Sequence, residues 1–156
     1  MLNKSKKANI PMAVLMGLLC AFSMVMIFLF SYQGAEASAG ESMSLYTYLV
    51  QLFSGREIIS HNAFRKLAHF GEFTFFSFCF FGMMYFIKKV FCVRSSLIFC
   101  VLYSMSDEVH QFFVPERACR VFDVFVDSLG IIFGITVFYI LCIALIKLTD
   151  KIRHDT

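Results

Sequence analysis

The sequence predicts an all-α integral membrane protein, a four-helix bundle with short loops and one larger extracytoplasmic loop, folded as a single domain over residues 1–156. Three observations carry that expectation. The chain is 59% hydrophobic and 16% charged, where a soluble domain has roughly 45–50% and about 25%, so it has too few charges to coat a water-facing surface. Residues 8–35 and 128–146 contain no Asp, Glu, Lys or Arg, which is close to or above the roughly 20 residues that cross a bilayer as a helix. The remaining charges fall in clusters between apolar stretches. This composition excludes disorder, a disulfide-stapled secreted scaffold and a second domain. A net charge of +3 without a basic patch interleaved with stacking aromatics gives nucleic acid no foothold as a partner.

The first span is expected over about residues 9–32. The same stretch has the layout of a secretory signal, with Lys4, Lys6 and Lys7 ahead of it and Ala-x-Ala at 35–37 and 37–39. Its apolar part exceeds the roughly 7–15 residues of a signal, so retention as a span is the expectation and cleavage the alternative. The polar segment 33–65, with Gly34, Ser38, Gly40, Ser42 and Ser44, is the large loop. Within it, residues 43–53 place Leu45, Tyr48, Leu49, Leu52 and Phe53 at the spacing of a short amphipathic helix, lying on the bilayer or packed on the bundle.

The uncharged parts of the second and third spans, 73–87 and 95–106, are short. They reach membrane length only with the neighbouring ionisable residues inside the helix, giving spans at about 66–87 and 95–113. Pro115 must end or kink the third helix, and the fourth span covers about 123–146. With four spans, Lys4, Lys6, Lys7, Lys88, Lys89, Arg94, Lys147, Lys151 and Arg153 share one side, against Arg56, Arg65, Lys66, Arg117 and Arg120 on the other. The richer side is cytoplasmic by the positive-inside rule, which places both termini in the cytoplasm. Tyr32, Tyr85, Tyr103 and Tyr139 lie near span ends as a partial aromatic belt.

The 6 cysteines form no C-x-x-C pair and read as ordinary buried thiols, apart from Cys119 near the outer side. Phe73, Phe75, Phe76, Phe78, Phe80 and Phe81 surround their helix and read as lipid-facing and packing surface.

The chemistry-bearing residues gather at one depth and one side. The second helix opens with Arg65, Lys66, His69 and Glu72. The third closes with Asp107, Glu108, His110 and Gln111, and the fourth opens with Arg120, Asp123 and Asp127. Ionisable groups at membrane depth are unfavourable by a few kcal/mol, about 3 or more, unless paired or facing water, so such a layer marks a functional site by default. Residues three and four apart share a helix face. Lys66, His69, Glu72 and Phe73 therefore form one stripe and Ser104, Asp107, Glu108 and Gln111 a second. A third runs from Arg120 through Asp123 and Asp127 to Gly130 and Gly134, whose G-x-x-x-G spacing permits close helix approach. His110 is turned off its stripe and is expected to be exposed.

Two blocks in these stripes, Arg65-Lys66-x-x-His69-Phe70-x-Glu72-Phe73 and Asp107-Glu108-x-x-Gln111-x-Phe113-x-Pro115-x-Arg117 continuing to Asp123, Asp127 and Gly130, resemble the VanZ-like family of bacterial membrane proteins. The resemblance runs over about residues 60–140. Glu116 and Asp127 depart from the Gly and Asn common in that family. The resemblance implies a multi-pass protein of the bacterial cytoplasmic membrane, and one named member gives low-level resistance to the glycopeptide teicoplanin.

Three readings remain open, and with them whether the protein is an enzyme. In the first, the polar layer recognises a membrane lipid headgroup, a lipid-linked cell-wall precursor or a lipoglycopeptide. Lys66, Gln111, Arg117, Arg120, Asp123 and Asp127 would then be the ligand-binding residues, the arginines suited to phosphate or carboxylate. In the second, the layer is an intramembrane hydrolase or transferase acting on a lipid phosphate or ester. Its candidate catalytic residues are His69, Glu72, Asp107 and Glu108, with His69 as general base or with a hard divalent cation on the carboxylates. No cofactor is evident beyond that divalent metal. In the third, the charges only fasten short helices together. A proton or ion path fits less well, because nothing ionisable crosses the inner half of any span.

Overall fold

The computed structural model describes residues 8–32, 44, 46–48, 50–51, 60–114 and 120–155. Four long helices make the bundle: α1 (Ile10–Tyr32), α2 (His61–Lys88), α3 (Val93–Phe112) and α4 (Val121–Asp155). Asn9 donates its N–H to the Phe86 carbonyl at 3.0 Å, and at the other end Ser31 meets Asp107. The chain therefore runs up through α1, down α2, up α3 and down α4, the simplest bundle topology for short connections. We call the end carrying Ser31, His69 and Asp107 the polar end, and the end carrying Lys88, Lys89 and Arg94 the basic end.

Among the described residues three helical segments, Ile10–Tyr32, Ala63–Lys88 and Val121–Arg153, are long and apolar enough to cross a membrane. With 20 residues, α3 has the length but carries Arg94, Asp107 and Glu108. Its polar side is turned inward. Ser96, Ser104, Asp107, Glu108 and Gln111 are buried, whereas Ile98, Phe99, Leu102, Met105, Val109 and Phe112 are exposed, so its outer surface is as apolar as that of its neighbours.

Two helices outrun the expected spans. Ser60 caps α2, its hydroxyl accepting from the Ala63 N–H at 3.3 Å, so the helix starts before Lys66 at a typical Ser N-cap. Past Lys147, α4 continues because leaving hydrocarbon does not end a helix, and neither Gly nor Pro follows. The turn between α2 and α3 is tight, with Lys89 left-handed at φ 55° and its N–H donating to the Tyr85 carbonyl. At the polar end α3 stops at Phe112, ahead of Pro115, which lies outside the described residues. Of the amphipathic loop segment, residues 44, 46–48 and 50–51 are helical, and Tyr46 packs on Phe64 with ring centroids 6.0 Å apart. Leu45, Leu49, Leu52 and Phe53 lie outside the described residues.

Helices α2 and α3 form the shared middle, each touching both α1 and α4. The α2–α4 contact is the closest. A Cβ built on Gly130 would meet the backbone of Phe70, and one on Gly134 that of Thr74, both inside 3.0 Å. That approach lets Thr74 Oγ1 donate to the Gly130 carbonyl and Ser77 Oγ to the Ile131 carbonyl, each at 3.1 Å. Small residues that admit a neighbouring backbone and hydroxyls that bond across it are the usual means of joining helices in lipid. Phe73, Phe76 and Phe81 are buried in the core with Ile131, Ile135 and Phe138, while Phe75 is exposed, so the Phe run serves both surfaces. Cys20, Cys79 and Cys100 join this core as free thiols. Tyr103 is not a belt residue: its hydroxyl donates to the Met24 carbonyl at 2.7 Å, tying α3 to α1.

Candidate functional site

The helical stripes converge at the polar end. On α3, Ser104, Asp107, Glu108 and Gln111 occupy two successive turns of one face, and all four are buried. Each is engaged. Asp107 Oδ2 accepts from Ser31 Oγ at 2.8 Å and from Gln111 Nε2 at 2.9 Å. Ser104 Oγ donates to Asp127 Oδ2 at 3.0 Å, joining α3 to α4. Glu108 Oε2 accepts the backbone N–H of Arg120 at 3.0 Å, just ahead of α4.

The acids crowd together. Asp127, only 2% exposed, lies within electrostatic reach of Asp107, Glu108 and Asp123, and Asp107 within reach of the imidazoles of His69 and His110. The described donors to Asp107 and Asp127 are neutral: two serine hydroxyls and one amide. Each of these donors occupies only part of the hydrogen-bonding capacity of its carboxyl group, so oxygen sites in the layer remain for a ligand. Among the described residues, Asp123 Oδ1 and His110 Nε2 are buried without a hydrogen-bond partner.

The α2 stripe forms the more open side. His69 Nδ1 lies 3.5 Å from Glu72 Oε2, both side chains 27% exposed, whereas Asp107, Glu108 and Asp127 are buried. Lys66 sits at the rim with Nζ 4.1 Å from the centre of the Phe122 ring, a cation–π placement that turns it along the α2–α4 seam. Arg120 is exposed at the start of α4. Arg117 lies outside the described residues. No group of three His, Cys, Asp or Glu among the described residues is arranged to hold a metal ion.

Two features differ from the sequence expectation. His110 is not exposed. It faces α1, stacked on Phe28 at 4.5 Å and near-parallel to Tyr32 at 6.2 Å between ring centroids, because α1 covers the side of α3 that the 100° turn per residue gives to His110. The second is Ser31, a residue of the layer that the charged stripes did not indicate. Its signal is the packed face of α1, where the small residues Ala13, Cys20, Ser23 and Ser31 recur with Ile27 at helical spacing and all are buried.

The fold and this buried polar layer define a helical membrane protein whose polar groups are gathered inside one end of the bundle. The profile of the VanZ/LLP1 family matches residues 16–143, most of the chain and all of the charged stripes. The protein belongs to that family. No curated protein and no solved structure shows significant similarity to it.

Proposed function

We propose that the polar end is an extracytoplasmic recognition site for the headgroup of a lipid-linked envelope component, in a four-span protein of the bacterial cytoplasmic membrane with both termini inside. The observation that carries the reading is the layer of Asp107, Glu108, Gln111 and Asp127, buried at one depth, with the part-exposed His69–Glu72 pair at the same end and His69 within electrostatic reach of Asp107. Carboxyl groups with neutral donors favour ligand hydroxyls or amines, and Arg65, Lys66 and Arg120 at the same end favour a phosphate. A lipid-linked sugar or peptide precursor carries both kinds of group. The excess of Lys and Arg at the basic end supports cytoplasmic placement of that end, and the exposed apolar flank of α3 supports four spans. Teicoplanin resistance is the phenotype this reading offers for test, by way of the family resemblance.

One observation favours a second reading, hydrolysis or transfer at a lipid phosphate or ester. The 3.5 Å separation of His69 and Glu72 supports a role for Glu72 in orienting the imidazole as a general base, since catalytic hydrogen bonds are often long until substrate binds.

The test is teicoplanin susceptibility of a sensitive Gram-positive host expressing wild type or Glu72→Gln, with membrane levels quantified in parallel. Protection by wild type and its loss in Glu72→Gln at equal protein level is the expected result. No protection by wild type would refute the resistance phenotype, and equal protection by both would refute a role for the charge at Glu72.

A further inference from the structure

We infer that Ser31 is a positioning residue of the polar end and that α1 stays in the bundle as its fourth wall; the inference rests on the polar end being a headgroup site. Ser31 is fully buried in the last turn of α1. Its hydroxyl donates to Asp107 Oδ2 at 2.8 Å and accepts from Gln111 Nε2 at 3.2 Å, while the same Gln111 nitrogen reaches Asp107 Oδ2 at 2.9 Å. The three groups close a small ring in which each fixes the other two. Gln111 is one turn from Asp107 on the same helix, so alone it does not tie the carboxylate to another element. Ser31 does, because it comes from α1.

The rest of α1 is built to hold that hydroxyl in place. Phe28 and Tyr32, one turn apart and flanking Ser31, lie against the His110 ring. Deeper in the bundle the Met24 carbonyl accepts from the Tyr103 hydroxyl, Gly17 sits where a Cβ would press on the Met83 sulfur, and Asn9 donates to the Phe86 carbonyl at the basic end. These ties run the length of the helix and engage both α2 and α3. Cleavage at the Ala-x-Ala sites of residues 35–39 would free the helix that carries Ser31. Asp107 would lose its donor from α1, and the His110 ring would be uncovered.

The experiment uses the full chain with a tag at each end, as wild type, Ser31→Ala, Ser31→Thr and Ser31→Cys. It reads three quantities: the intact mass of the purified protein, the Asp107 carboxyl band in infrared difference spectra against Asp107→Asn, and teicoplanin protection at quantified protein level. Both tags are expected on one polypeptide. Ser31→Ala should shift the Asp107 band and lose protection, and Ser31→Thr should restore both. Ser31→Cys keeps the shape with a weaker donor; it should give an intermediate shift, and it covers the case in which the threonine methyl is not accommodated. An unshifted band in Ser31→Ala, or an N-terminal tag released from the purified protein, would overturn the inference. Absence of protection by wild type, with the band still shifted in Ser31→Ala, would refute the resistance phenotype and leave Ser31 assigned to Asp107.

Discussion

The same substitution, glycine to alanine, is expected to act with opposite signs at two positions of this bundle. In Gly134→Ala the new methyl meets the Thr74 carbonyl and the Ser77 hydroxyl inside 3.0 Å. The carbonyl is backbone and cannot rotate away, so α2 and α4 must separate. Forcing a methyl into a packed contact is unfavourable by roughly 1–3 kcal/mol. Separation also stretches the Thr74 and Ser77 bonds to α4, at about 0.6 kcal/mol each in membrane helices. Against this, alanine is intrinsically better than glycine in a helix by roughly 1 kcal/mol. The net expectation is a loss of about 1–3 kcal/mol, from the balance of those terms. Gly71, on the exposed side of α2, has nothing within 4 Å of a built Cβ, so Gly71→Ala keeps only the helix-propensity gain, up to about 1 kcal/mol. Unfolding by titration of a denaturing into a mild detergent, followed by helical circular dichroism, places both variants on one scale. Gly134→Ala unfolding at or beyond the wild-type midpoint, like Gly71→Ala, would refute the close α2–α4 contact.

Three other outcomes follow from the hydrogen bonds and the charge pattern. Ser104→Ala removes the donor to the buried Asp127 and should destabilise the bundle by about 1–3 kcal/mol in the same titration. Tyr103→Phe keeps the ring packing and deletes only the bond to the Met24 carbonyl, so a loss of about 1 kcal/mol is expected. Topology reporters fused within residues 33–59 should report the outside and those fused after residue 156 the cytoplasm; the reverse would contradict the placement of the polar end.

The α3 stripe was legible in the sequence because charged residues in an apolar context stand out, and 3.6-residue periodicity puts Ser104, Asp107, Glu108 and Gln111 on one face. The close approach at Gly130 and Gly134 was legible as a spacing, but not its partner, since Thr74 and Ser77 on α2 have no local signature. Ser31 was missed because a single hydroxyl in an apolar span is compatible with any orientation; only the recurrence of small residues from Ala13 to Ser31 marks the packed side. His110 was misplaced for a related reason. Periodicity gives its angle from the acidic stripe, but whether α1 or lipid occupies that angle is decided by tertiary packing. The early start of α2 is readable at Ser60, an N-cap that lies ahead of the hydrophobic run and so adds nothing to the apolar length that marks a span.

Binding of a lipid-linked cell-wall precursor decides whether the polar end is a headgroup site. The measurement is native mass spectrometry of the purified full-length protein with a polyprenyl-pyrophosphate-linked disaccharide-pentapeptide, against phosphatidylglycerol at equal concentration, for wild type, Glu72→Gln and Asp127→Asn. Wild type is expected to retain the precursor in preference to phosphatidylglycerol, and both variants to lose the preference while remaining folded. Equal retention of the two lipids by wild type, or a preference unchanged in both variants, would contradict it.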